Sequence, residues 1–183
     1  MEPIELADLR IIKTQIGRPP RGVVAIPCRC SYGYPQVVSV YPMIERKPFP
    51  TLYWLTCPFL SRAVGRLEAS GWVTRLEERI AQDDELRGAF HDAHARYVAE
   101  RSSLLKDADR WMLNECGFAQ SLTERGIGGI SDRDRVKCLH LHVAHALADE
   151  NPIGRIVLDA LERIECSENE VICSVPEGTE QTL

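Results

Sequence analysis

The chain has 183 residues, 44% of them hydrophobic and 27% charged, with a net charge of −5. The apolar share is too high and the charge too small for a disordered chain, and a chain of this length buries roughly 70% of its unfolded surface without needing disulfides or metal to fold. The acidic balance argues against a dedicated nucleic-acid binder, which shows a basic face or stripe.

In chain order, residues 3–16 predict a short helix. Leu9, Ile12 and Ile16 recur at the spacing of one helical face. Gly17-Arg18-Pro19-Pro20-Arg21-Gly22 stops it. Three runs rich in β-branched and aromatic residues follow, 23–26, 37–41 and 52–55, bounded by Pro and Gly. They predict a small antiparallel sheet with a turn at 31–35. Pro58 suits the first turn of a helix, with Thr56 as its N-cap. Helices are expected to Ser70-Gly71, over 72–82, and from Asp84 to about Asn114. Gly126–Ile130 reads as a loop. Ser131, three residues before Asp134, nearly forms a capping box and predicts a helix from Asp132 to Asp149. Pro152 starts a last helix to about Ile164. The expected fold is α+β: one domain over 1–165, with a small antiparallel sheet at about 22–55 packed on a mostly helical bundle at about 58–164. Residues 166–183 form a C-terminal tail.

The helix expected over 132–149 carries the strongest chemical signal. Val136, Leu139, Val143, Ala146 and Leu147 share an apolar face. At about 100° per residue, Cys138, His142 and His145 fall within about 60° of one another on the opposite side. An outer helix face is ordinarily charged; a thiol and two imidazoles there offer workable metal-ligand spacing. His140 lies at the edge of the apolar face and reads as a core histidine. Cys30, beside a Gly-containing turn, and Cys57, at a helix start, would add ligands. The proposed set is Cys30, Cys57 and Cys138, completed by His145 or His142, and it suits zinc or an iron–sulfur cluster.

Cys57 also supports a different expectation, a thiol-dependent enzyme. A thiol at a helix N-terminus loses its proton more readily, because the helix dipole favours the thiolate. Cys116, Cys166 and Cys173 have no neighbouring ligand pattern and read as incidental. His91 and His94, one turn apart, read as helix-packing or exposed groups. Arg18, Arg21, Arg133 and Arg135 would serve a third reading, a metal-free module that recognises a small anion or a protein partner, with the anion at the N-terminus of the helix capped by Ser131. The first thirteen residues hold three acids before the first lysine and do not resemble a signal peptide. No window reaches the ~18 consecutive apolar residues of a membrane helix. Seven cysteines, an odd number, fit a reducing compartment.

Several joined motifs carry a family resemblance. They are Gly17-Arg18-Pro19-Pro20-Arg21-Gly22-Val23, Arg29-Cys30, Pro48-Phe49-Pro50-Thr51, Leu55-Thr56-Cys57-Pro58, Arg66-Leu67-Glu68, Val136-Lys137-Cys138-Leu139-His140 through Ala144-His145, and Asn151-Pro152-Ile153-Gly154. Together they resemble an uncharacterised bacterial family catalogued as domain of unknown function number 501, over roughly residues 5–160. The matching motif positions include Cys30, Cys57, Cys138, His140 and His145. The resemblance implies a bacterial cytoplasmic protein. It implies no activity and leaves the choice among His140, His142 and His145 open.

Overall fold

The computed structural model describes residues 4–173. Helix α1 spans Leu6–Ile16. Glu5 and Asp8 form a reciprocal capping box at its start, and Gly17 ends it in the left-handed region at φ 71°. The chain then forms β1 (Val23–Arg29), β2 (Pro35–Val40), a tight hairpin of β3 (Met43–Ile44) and β4 (Lys47–Pro48), and β5 (Tyr53–Leu55). The main sheet is antiparallel in the order β1-β2-β5, with Val37 opposite Leu55 and Ser39 opposite Tyr53. Every residue of the central strand β2 is buried. The edge strand β1 pairs irregularly, with register shifts between Val23 and Arg29, and its run extends past the expected 23–26 to take in Cys28.

Helices make up the rest: α2 (Pro58–Ala69), α3 (Trp72–Gln82), α4 (Asp84–Ser103), α5 (Asp107–Glu115), α6 (Gln120–Thr123), α7 (Leu139–Ala148) and α8 (Pro152–Asp159). The fold is α+β, a small antiparallel sheet against a mostly helical body. Helix α7 packs against both β5 and α8. It lies at the centre of the main core, with Leu139 and Val143 among Val37, Leu60, Phe90, Tyr97 and Ile153. Among the described residues no helix is long and apolar enough to cross a membrane.

Four expected elements differ. The long helix from Asp84 breaks after Ser103. Leu105 turns into a second apolar cluster with Met43, Leu113 and Leu122, and the Lys106 amide donates to the Tyr41 hydroxyl at 3.1 Å. Cys57, not Thr56, is the N-cap of α2, because the Thr56 hydroxyl donates to the carbonyls of Pro35 and Gln36. The last helix stops at Asp159, short of Ile164.

The fourth difference matters most for function. Residues 132–138 are not helical, Ser131 caps nothing, and α7 begins at Leu139 with Cys138 as its extended N-cap. Carboxylates from distant helices take the amides a helix would have used. Glu77 accepts from Val136 N at 2.9 Å, and Glu68 accepts from Leu139 N at 2.6 Å. Lys137 donates to Gly128 O at 2.9 Å, and Asp132 accepts from Asp134 N at 3.0 Å. With these groups satisfied this way, the stretch stays out of the helix, with a turn at Arg133-Asp134.

Candidate metal centre

The late start of α7 decides what Cys138 can touch. As N-cap it stands at the helix end nearest α2, beside the Glu68 side chain that reaches over to the Leu139 amide. His140, in the first turn of α7, turns the same way. Its Nδ1 lies 3.1 Å from Glu68 Oε1, and its Nε2 lies 3.1 Å from Ser61 O. The Cys138 thiol lies within 4.8 Å of ligand atoms of both His140 and Glu68. Among the described residues, one group of three or more His, Cys or acidic residues has ligand atoms all within 4.8 Å of one another: Glu68, Cys138 and His140, each half-buried. The contact with Cys138, together with Glu68, pushes His140 up to about 9 against the opposing effect of burial.

His142 and His145 do not accompany Cys138. They were expected on an outer face, but α7 has no outer face there: His142 is 2% exposed and His145 is not exposed at all. Each Nδ1 receives a hydrogen from the Asn151 amide, at 3.3 Å and 3.0 Å. Asn151 in turn caps α8 by accepting from Gly154 N at 2.8 Å. The His145 ring stacks on Tyr53 at 5.6 Å and meets Tyr97 edge-on at 5.0 Å. Helix α8 comes so close that a Cβ at Gly154 would lie 2.0 Å from the His142 carbonyl oxygen. Burial drives His142 down to about 3 and His145 to about 4, the latter against the pull of Asp149. These are neutral core imidazoles.

His94 joins them. It is fully buried, its Nδ1 accepts from Ile127 N at 3.0 Å, and burial lowers it to about 4. Gly126 is required beside it, since a Cβ there would fall 2.2 Å from that nitrogen. The buried Arg101 holds this loop in place by donating to the carbonyls of Leu122, Arg125 and Gly126. His91, one turn away, is exposed and pairs with Asp134 at 2.7 Å.

The other expected ligands lie elsewhere. Cys57 is buried at the start of α2. Burial raises its thiol to about 11, outweighing the amides of Leu60 and Phe59 that point at it. Desolvation is the largest influence on this thiol and opposes the activation expected at a helix N-terminus. Cys30 sits at the end of β1, where its amide donates to Tyr34 O at 3.0 Å. The four arginines are engaged by four different partners. Arg18 lies over the Trp54 ring at 4.8 Å, and Arg21 pairs with Glu45 at 2.8 Å. Arg133 donates to Glu124 O at 3.1 Å, and Arg135 pairs with Glu77 at 3.1 Å. The helix N-terminus they were expected to flank is displaced to Leu139.

Glu68 is the member of this group that the sequence did not single out. It stands 70 positions from Cys138, on a helix with no other metal-type signal. Its one visible mark is a place in the Arg66-Leu67-Glu68 motif.

A family model described as "Protein of unknown function (DUF501)" matches residues 26–159, and the chain belongs to that family. The matched span contains Cys30, Cys57, Glu68, Cys138 and His140 and ends before Cys166 and Cys173. Comparison with curated proteins and with solved structures finds no match.

Proposed function

We propose that this protein binds a divalent metal ion, zinc by preference, through Cys138 Sγ, His140 Nδ1 and Glu68 Oε1. The observation that carries this reading is the convergence of the three donors within 4.8 Å of one another. The surroundings support it. His140 gives Nε2 to the Ser61 carbonyl, which leaves Nδ1 facing Glu68 and Cys138. Metal-bound histidines characteristically donate their other N–H to a carbonyl in this way, which fixes the ring. The carboxylate is likewise held by the Leu139 amide. One thiolate, one imidazole and one carboxylate suit zinc better than an iron–sulfur cluster, whose irons are held mainly by thiolates. Three protein ligands leave a fourth position for water or a substrate, the pattern of reactive rather than purely structural zinc. The thiol ligand is best kept in a reducing compartment, in line with the bacterial cytoplasm that the family resemblance implies.

Elemental analysis of protein purified without chelator tests this reading. The expected result is bound zinc that is lost in Cys138→Ser and in His140→Ala. Chelator-stripped protein that takes up no zinc at micromolar concentration overturns it.

A second reading rests on the same corner. Cys138 caps a ten-residue helix and touches an imidazole, the setting of a reactive thiol. Thiol chemistry would then use Cys138, since burial keeps Cys57 protonated at neutral pH. Selective alkylation of Cys138 in metal-free protein, unaffected by added zinc, favours this alternative. If neither metal nor a reactive thiol is found, the metal-free binding module for an anion or a protein is the remaining reading.

A further inference from the structure

Beyond α8 the chain runs without regular structure and returns to the turn between β1 and β2. There it lies in a cradle of hydrogen-bond donors. Ser31 N and Ser31 Oγ donate to the two carboxylate oxygens of Glu165, at 3.0 Å and 2.5 Å. On one side of that anchor Gln36 Nε2 donates to Ile164 O at 3.1 Å, and on the other the Tyr32 hydroxyl donates to Cys166 O at 3.4 Å. Further along, Gln15 Nε2 from α1 donates to Cys173 Sγ at 3.2 Å. In each of these bonds the donor belongs to the cradle and the acceptor to the segment. Ile164, Glu165 and Cys166 are thus held in succession by a carbonyl, a carboxylate and a carbonyl.

The two sides of this contact are anchored very differently. Gln36 is 3% exposed on the central strand β2. Ser31, Tyr32 and Gln36 all lie inside the family-matched span, 26–159. No residue from 160 to 173 is fully buried, and the whole segment lies beyond that span. A segment with so little buried apolar surface opens at low cost, whereas the buried Gln36 amide demands an acceptor. The segment is also acidic, with four glutamates and one arginine over 160–173.

We propose that this cradle is a docking site for an extended, glutamate-bearing segment of a partner protein, and that residues 164–166 occupy it in cis as a self-inhibiting strap. The Ser31 fork takes both oxygens of a carboxylate, and hydrogen bonds to an ionised acceptor are the strong ones. Gln36 and Tyr32 take main-chain carbonyls, which any extended peptide supplies. Main-chain bonds of this kind give affinity, and the side-chain anchor gives specificity. A lysine at the anchor would meet two donors and no acceptor. The cradle shares no residue with the Glu68, Cys138 and His140 group, so it stands or falls apart from metal binding.

The test uses the full-length chain and a synthetic peptide of residues 160–173 with serine at both cysteine positions. The tethered strap competes at an effective concentration on the order of millimolar. Glu165→Lys releases the strap and leaves the cradle intact, so it should bind the peptide at least about tenfold more tightly than the unmutated chain. Adding Ser31→Ala to that variant, or placing lysine at the anchor of the peptide, should remove the gain. A released chain that binds both peptides equally, or neither at millimolar concentration, overturns the proposal. A dimer of the unmutated chain that Glu165→Lys dissolves makes a second copy the occupant and overturns the assignment to a partner protein. One readout needs no variant. Millimolar peptide should displace the strap of the unmutated chain and speed alkylation of Cys166 and Cys173 several-fold, scored by peptide mass, and unchanged rates overturn the proposal.

Discussion

The two ends of α7 hold histidines under opposite physical rules. At the N-terminus, His140 is half-buried between a carboxylate, a carbonyl and a thiol, and it is held well above the usual imidazole range. Two residues further on, His142 is sealed beside Phe90, and with His145 it shares the single amide of Asn151; burial holds both far below that range. The residue type is the same throughout. What differs is the supply of acceptors against the loss of water. One end of the helix is therefore suited to exchange a proton for an ion, and the other is suited only to stay neutral and packed.

The largest test of this contrast is acid. His94 and His145 both sit near 4 in the folded protein, against about 6.5 when unfolded. Their surroundings do not rescue the charged form. His94 is faced by Arg133, His91 and His145 with only Asp134 opposing, and His145 by Asp149 with Arg96 opposing. Between pH 6.5 and 4 the unfolded chain binds more protons than the folded one, so stability rises with pH across that window. It is fully present above 6.5 and is lost as pH falls towards 4. A shift of this size corresponds to about 3 kcal/mol for each histidine. Urea midpoints should fall steeply from pH 7 to pH 4.5; a flat profile would show that these rings find acceptors after all.

Next in size is Asn151→Ala. It strips the donor from two buried imidazole nitrogens and the acceptor from Gly154 N. Each orphaned buried group costs roughly 1–3 kcal/mol, so a loss of about 4 kcal/mol is expected in urea unfolding, with metal content per folded chain unchanged. Loss of metal in Asn151→Ala would mean that the two ends of α7 act as one unit.

These interior contacts also show where the sequence was readable. The strands around Val37 and Trp54, the stop at Gly17 and the start at Pro58 follow from local propensity and are present. The start of α7 does not, because the residues that hold the stretch before it out of the helix are Glu68 and Glu77, on helices far away in the chain. Helical periodicity assumes that a segment uses its own amides, and it placed Cys138 nearly two turns inside a helix that it in fact caps. A usable signal existed for His142 and His145: Leu139–Ala148 contains no Asp, Glu, Lys or Arg. A helix without charge on any face is buried all round. The neighbourhood of Cys166 and Cys173 was invisible for another reason, since their partners Tyr32 and Gln15 come from the turn between β1 and β2 and from α1.

Glu68→Gln sharpens the polar end alone. The amide oxygen can still accept from Leu139 N, so the start of α7 should survive with a stability change of about 1 kcal/mol or less. The carboxylate charge is lost as a ligand. Zinc affinity should fall by about 100-fold, equivalent to roughly 2.7 kcal/mol, measured by competition with a chromophoric chelator. An unchanged affinity would remove Glu68 from the ligand set.

The smallest expected effect is the most discriminating, because its sign reverses with metal. Cys138 is the N-cap of α7, yet its side chain makes no capping hydrogen bond. Serine is among the best N-cap residues, since its hydroxyl oxygen accepts from an amide of the first turn. In chelator-stripped protein, Cys138→Ser should therefore be neutral or stabilising, by up to about 1 kcal/mol. In zinc-saturated protein the order should invert. The unmutated chain alone gains the linkage free energy of a bound ligand, about 4 kcal/mol at a thousandfold excess of ion over Kd. Thermal melts of both chains, each with and without zinc, supply the four values needed. If Cys138→Ser lowers the melting temperature equally in both conditions, the thiol contributes packing rather than ligation, because a packing contact does not respond to zinc.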